Sequence, residues 1–363
     1  MMFCKRSKVW YNNHENMKKD FKNILVVRTD RIGDVVLTTP ALKSLRQAYP
    51  KAKISILVSP AARDLVMGNP CLDEVLVDDR PVKNKSIWGF LKLLYSLKKR
   101  KFDLAVIFHT KKRTNLACFL AGIPYRMGYK NDKFGFLLTH PIEDTRHLGQ
   151  KHETEYCLDV LKHLGVEPGS LELFIPLQKK AEDWAEQFLE DYKVFGNDRL
   201  IAIHLGASDP SKEWPGHRFA ELINILHSRD KVKVVLIGEE KVQTILDRIT
   251  VYLDQPIFNA IGKTSVGQLA SLLKRCQLLI SNDSGPVHIA SGVGCPVVSI
   301  FTRNQPGINP ERWKPLEERS RVVSVKPTQT ISFTKAGAAD SQYLEPIPIQ
   351  RVLEAVDALW KLC

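Results

Sequence analysis

Leu278-Leu279-Ile280-Ser281-Asn282-Asp283-Ser284-Gly285-Pro286-Val287-His288-Ile289-Ala290-Ser291-Gly292 sets an apolar run, a polar turn and a small-residue segment in that order. The stretch reads as a strand that ends in a turn and opens a helix. In an open α/β sheet, ligands bind beyond the carboxyl ends of the strands, where helix N-terminal amides favour anions. Asp283, Ser284, Gly285 and His288 therefore suit a nucleotide or phosphate cradle. They also suit a plain helix start, with Asp283 or Ser284 as N-cap and His288 packed inside.

The same unit recurs along the chain. Strands are expected over 23–28, 54–58, 74–77, 103–108, 200–204, 233–237, 278–281 and 296–301. Helices are expected between them, over 40–48, 61–67, 87–97, 114–121, 153–164, 216–227, 241–251, 266–274 and 286–291. Continuous apolar strands separated by helices mean parallel sheets covered on both faces. The pattern starts twice, at Ile24 and at Leu200, with a charged helix over 178–192 between the two sets. An α/β chain of two Rossmann-like domains facing a central cleft is the natural architecture. The expected division is a flexible extension over 1–20, a first domain over 21–177 and a linker helix within 178–198. A second domain follows over 199–346, then a packing helix over 347–363. The loop-rich stretch 327–347 receives no element.

At 363 residues, with 44% apolar and 26% charged content, the chain has the length and composition of a two-domain soluble protein. Val287 to Phe301 is too short for a membrane span, and no apolar segment follows the basic N-terminus as a secretory signal requires. The seven cysteines are scattered without Cys-x-x-Cys spacing, so a disulfide scaffold and a zinc site lack support and a reducing cytoplasm fits. The net charge of +13 calls for an anionic partner. It gathers at Lys98-Lys99-Arg100-Lys101 and Lys111-Lys112-Arg113, and no recognised nucleic-acid motif accompanies it. Residues 87–101 combine Trp88, Phe90, Leu91, Leu94 and Tyr95 with a basic end, a pattern that suits either an anionic bilayer surface or an ordinary packed helix.

Several familiar motifs fail. The first strand is followed by Thr29-Asp30-Arg31-Ile32-Gly33-Asp34 rather than a Gly-x-Gly-x-x-Gly fingerprint. Gly262-Lys263-Thr264 ends like a phosphate loop, yet Ile257 occupies its first glycine position. Pro210 spoils a nucleophile elbow at Gly206-Ala207-Ser208, and Tyr156 replaces the second histidine of a zincin motif begun by His152-Glu153. Three turns remain at strand ends: Arg28 to Asp34, Gly206 to Lys212, and Asn282 to His288. Gly33 allows close backbone approach, Asp34 brings a carboxylate, and Lys212 brings a charge suited to a diphosphate.

The run Ile24-Leu25-Val26-Val27-Arg28-Thr29-Asp30-Arg31-Ile32-Gly33-Asp34-Val35-Val36-Leu37-Thr38-Thr39-Pro40 resembles the opening of glycosyltransferase family 9, the ADP-heptose:lipopolysaccharide heptosyltransferases. Gly122-Ile123-Pro124-Tyr125-Arg126-Met127-Gly128-Tyr129, Lys212-Glu213-Trp214-Pro215, Asn282 to His288 and Asn309-Pro310-Glu311-Arg312-Trp313 extend the likeness in the family's order. The resemblance implies a GT-B fold, with acceptor on the first domain and ADP-sugar on the second. It implies inverting transfer without metal or cofactor, with Asp34 as general base; an N-cap role for Asp34 competes with Thr39-Pro40 as a helix start. On the donor side it implies Lys212 at the diphosphate and Asp283, Ser284, Gly285 and His288 around phosphate and sugar. Ser208 suits a phosphate, and Glu239 or Glu240 suits the ribose. Arg303 departs from the smaller residue common in the family, which leaves the donor sugar open.

An acidic lipopolysaccharide core matches the basic charge, with Lys111, Lys112, Arg113 and Arg126 as acceptor-binding candidates. A cytoplasmic enzyme in contact with the inner face of the inner membrane follows. Two alternatives stay open: a different nucleotide sugar or acceptor, and a non-catalytic module that binds nucleotides or polyanions.

Overall fold

The computed structural model describes residues 19–79, 87–325 and 347–360. Most of the extension expected over 1–20, and nearly all of 327–347, lie outside the described residues.

Strands β1 (Asn23–Arg28), β2 (Lys53–Val58), β3 (Glu74–Val77), β4 (Leu104–Ile107), β5 (Tyr125–Tyr129) and β6 (His140–Ile142) form the first sheet. Strands β7 (Arg199–His204), β8 (Val232–Ile237), β9 (Phe258–Asn259), β10 (Leu278–Asn282), β11 (Val297–Phe301) and β12 (Ser320–Ser324) form the second. The helices are α1 (Ile32–Val36), α2 (Thr39–Ala48), α3 (Ile87–Arg100), α4 (Lys112–Leu120), α5 (Glu153–Lys162) and α6 (Lys179–Asp191). They continue with α7 (Gly216–His227), α8 (Gln243–Ile249), α9 (Val266–Lys274), α10 (Gly285–Gly292), α11 (Pro310–Trp313) and α12 (Ile349–Trp360).

Both sheets are parallel and share one strand order, β3-β2-β1-β4-β5-β6 and β9-β8-β7-β10-β11-β12. The order reverses between β1 and β4 in one sheet and between β7 and β10 in the other. Ligand crevices in such sheets open at these reversals, beyond the carboxyl ends. The three turns singled out in the sequence follow β1, β7 and β10, so each borders a crevice. The central strands are buried on both faces, which is why they read as unbroken apolar runs.

Four strands escape that pattern. β5 carries Arg126 and Gly128, β6 is an edge strand with Pro141, β9 has two residues, and β12 exposes Arg321 and Val322. The helix expected over 61–67 is a 3-10 segment, Pro60–Leu65, and the one over 241–251 breaks into α8 flanked by 3-10 turns. Helix α12 buries Val352, Val356 and Leu359 in the second lobe's core, and Ile347 just before it accepts the indole N–H of buried Trp214 at 2.9 Å.

The lobes meet where α1 lies on α10. A Cβ at Gly33 would fall 2.7 Å from the His288 ring, and one at Gly292 would fall 2.7 Å from the δ carbon of Ile175. Around these close approaches Val36, Leu37 and Leu65 share one apolar cluster with Val287, Ile289 and Val293. Among the described residues no helix is long and apolar enough to cross a membrane.

Candidate active site

Arg28 ends the apolar strand β1 fully inside the protein. Its Nη2 donates to Asp34 Oδ1 at 2.7 Å and to Glu153 Oε1 at 2.9 Å, while its Nε lies 3.0 Å from Asp30. Arg312 donates through Nε and Nη2 to the other oxygen of Glu153, at 3.0 and 2.8 Å. Arg146 pairs with Asp144 at 2.7 Å and stands 4.0 Å from Glu153. Three guanidinium groups thus face four carboxyl groups, and Asp34 is the carboxyl most strongly shifted by its surroundings. Burial, reinforced by Asp30 and Glu153, outweighs the pull of Arg28 and lifts its carboxyl from the ordinary 3.8 to about 7. For Glu153 the balance is opposite: burial is outweighed by Arg28, Arg312 and Arg146, and its carboxyl stays below the ordinary range.

Asp34 does not cap a helix. It sits inside the short helix α1, whose N-cap is Arg31, and α2 starts from Thr38 without a side-chain cap. Its carboxyl is turned toward Arg28. Proton transfer to and from such a carboxyl is feasible near neutral pH.

The second lobe supplies the other wall. Lys212 forms an ion pair with the buried carboxylate of Asp283. Asn282 ties the two turns together: its Oδ1 accepts the Trp214 N–H at 2.9 Å, and its Nδ2 donates to Leu205 O at 2.7 Å. Ser284 is the N-cap of α10, yet its hydroxyl does not cap. That hydroxyl lies 3.1 Å from His204 Nδ1 and 3.0 Å from Ser281 Oγ. The N-terminal amides of α10 are therefore left without a side-chain cap beside Gly285, an arrangement that suits an anion. Burial depresses His204 to about 4 and His288 to about 3, so both rings are neutral; His288 packs on Gly33.

Ser208 and Glu239 are exposed at the mouth of this crevice. Glu239 pairs with Lys241 at 2.8 Å, and its charge reaches His204, whereas Glu240 packs its backbone on Gly262. Arg303 donates to Ser211 Oγ at 2.8 Å on the turn that carries Lys212.

The basic residues divide. Lys111 donates to Thr29 O at 2.8 Å, Lys112 is exposed with its ammonium 5.7 Å from the Phe134 ring, and Arg113 pairs with buried Asp78 at 3.1 Å. All three follow the carboxyl end of β4, on the cleft side. Arg126 stands apart. It lies near the entry of β5, at the amino end of the strand and away from the carboxyl ends that face the cleft, and its guanidinium is committed to Leu137 O at 2.8 Å and to Ile123 O. It clamps a loop rather than lining the cleft. Arg28, His204, Glu153 and Arg312 were not singled out from the sequence. Arg28 gave a signal as a charge ending a buried strand, and Arg312 stood in one of the family-like segments without being assigned a role. Among the described residues no group of three His, Cys, Asp or Glu side chains is placed to hold a metal ion.

Comparison with known proteins identifies the family and the fold. The pattern of glycosyltransferase family 9 (heptosyltransferase) matches residues 90–341, more than half of the chain. Lipopolysaccharide heptosyltransferase 2 of Escherichia coli K12 is 27% identical over 348 residues, covering 93% of this chain and 98% of that protein. A family 9 glycosyl transferase from Veillonella parvula superposes with a TM-score of 0.85 at 26% identity, covering 96% of this chain and 100% of the other. E. coli heptosyltransferase WaaC, solved with ADP, shares the fold at a TM-score of 0.69 and 16% identity, covering 93% of this chain and 99% of the other. With its two parallel sheets in the GT-B arrangement, the chain belongs to glycosyltransferase family 9 and is a glycosyltransferase.

Proposed function

We propose that this enzyme transfers heptose, or a related sugar, from an ADP-activated donor to the core of lipopolysaccharide, with inversion and without a metal ion or cofactor. The observation that carries the reading is the buried Asp34 carboxyl, raised to about 7 and one residue from the contact between Gly33 and His288 of the donor turn. The names of the relatives support the sugar and the acceptor, and the ADP in the WaaC structure supports the nucleotide.

In this mechanism the acceptor hydroxyl gives its proton to Asp34 as its oxygen attacks the anomeric carbon. The bond from that carbon to the β-phosphate oxygen breaks, and ADP leaves with the electron pair. Lys212, Ser284 and the amides at the start of α10 hold the diphosphate, with Ser208 at its edge and Gly285 admitting it closely. Asp283 holds Lys212, His288 closes the cleft floor as a neutral ring, and Glu239 takes the ribose. Lys111, Lys112 and Arg113 meet the acidic acceptor.

The test is incubation with ADP-heptose and deep-rough lipopolysaccharide, reading ADP release and product mass together. A heptose mass increment is expected. ADP binding without that increment would move the search to other sugars and acceptors, and absence of both would end the reading. Lys212→Met should lower kcat/KM about 10- to 100-fold, the worth of one charge-assisted contact. Unchanged steady-state kinetics would remove Lys212 from the donor site.

The acceptor is lipid-linked, and α3 offers a face to meet its membrane. Ile87, Trp88 and Tyr95 are 68, 72 and 69% exposed, beside exposed Leu91, Lys92 and Lys99. We assign this face to the cytoplasmic surface of the inner membrane. Leu91→Glu should lower co-sedimentation with phosphatidylglycerol vesicles several-fold without changing ADP binding. Equal sedimentation of variant and parent would reject the assignment.

A further inference from the structure

We propose that Glu153 is a positioning residue for this reaction, the joint through which Arg312 of the second lobe fixes Arg28 and, through Arg28, the carboxylate of Asp34. The inference rests on Asp34 being the base. Glu153 is 1% exposed and touches no open part of the cleft. It opens α5, where a carboxylate suits the helix dipole, but that role needs no counter-ion. Here one oxygen takes Arg28 and the other takes two N–H groups of Arg312. Burying so many charges is costly unless each is paired, so the cluster is an arrangement that simple packing would not require.

Two features make the joint directional. The same nitrogen of Arg28 serves Asp34 and Glu153, so a change in the hold on one carboxylate changes the other. Arg312 is delivered only by the docked second lobe. Its Nη1 also donates to Arg146 O at 2.9 Å, Asn309 Nδ2 donates to Gly149 O at 3.1 Å, and Gly307 abuts His147 with no room for a Cβ. The start of α5 is held from the same side, because His152 Nε2 lies 3.0 Å from Lys314 O. Lobe docking and base position are thereby linked.

The groups around Asp34 and its partners define what a variant would change. Arg28 and Asp30, from β1 and its turn, and Glu153, from α5, act on Asp34 directly. Cys157 of α5 touches Arg28, Arg146 from the segment before α5 stands 4.0 Å from Glu153, and His288 of α10 packs on Gly33. Burial pushes the Cys157 thiol up to about 12, and His288 is neutral, so the arginines and the three acids carry the field. Glu153→Gln removes an anion near Asp34 and leaves Arg28 to it. Arg312→Gln strips Glu153 of its partner, so Glu153 draws Arg28 away.

The experiment is kcat against pH for the parent, Glu153→Gln and Arg312→Gln, each checked for folding by circular dichroism. The acidic limb of Glu153→Gln should move down by about one pH unit and that of Arg312→Gln should move up by a similar amount. A merely structural role lowers the amplitude in both and moves neither limb. Limbs that coincide with the parent's would overturn the inference and leave the proposed base intact. If Glu153→Gln does not fold, the rim variant Arg312→Gln decides alone, and its limb must rise. A parent without pH-dependent transfer would overturn the proposed base and this inference with it.

Discussion

Asp34→Asn is expected to lower the rate of sugar transfer about 10²- to 10⁴-fold, the range of a lost general base, with ADP affinity unchanged. The amide has the shape of the carboxyl and still accepts from Arg28, so position is kept and only basicity is lost. In the parent enzyme, transfer should rise with pH through about 7, where the Asp34 carboxyl gives up its proton. The variant should lack that limb. Stability should move the other way. The folded chain holds this proton more tightly than the unfolded chain does, so ionising Asp34 costs stability as pH rises from about 4 to about 7. Asn carries no such cost. The variant should therefore melt above the parent at pH 8, with the gap closing toward pH 4. A slow variant with no gain at pH 8 would mean that Asp34 is not held protonated by the fold.

Arg28→Met should be the most damaging single change to stability. Methionine approximates the volume of the arginine stem but leaves Asp30, Asp34 and Glu153 without the cation at their centre. Breaking a buried pair costs about 3–5 kcal/mol, since the partner's charge stays buried and uncompensated. A chain of this size should lose roughly 6–10 °C in its melting temperature. Below about pH 5 the loss should shrink, because protonated carboxyls need no cation. A melting temperature within 2 °C (about 1 kcal/mol) of the parent at pH 7.5 would show that the cluster relaxes around the gap.

The fold was legible because the central strands are dry on both faces. Ile24 to Val27, Ile201 to Ile203 and Leu278 to Ile280 could be read as strands without knowledge of their neighbours. Edge strands such as β12 gave no such signal, and α1 is too short to show a helical period. The GT-B reading came from a resemblance spread over five segments, and the comparisons bear it out. For the site, the turns after β1, β7 and β10 were visible as polar breaks after apolar runs. Direction was not. Arg126 and Arg113 look alike in sequence, yet one binds loop carbonyls at the amino end of β5 and the other faces Asp78 on the cleft side. Glu153 and Arg312 stand 159 positions apart, and no local pattern could pair them.

The close approach of Gly33 to His288 sets the kind of motion available to the enzyme. A ring packed on bare backbone without room for a methyl group resists sliding but tolerates rotation about the point of contact. Any opening of the lobes is therefore expected to pivot near there, as a book opens on its spine. Asp34 and the start of α10, beside that contact, should travel little, while the parts of the lobes farther from it should sweep more widely. A bulky acceptor of the kind proposed can enter and leave through that wide margin, and the machinery for the bond change need not be rebuilt at each turnover.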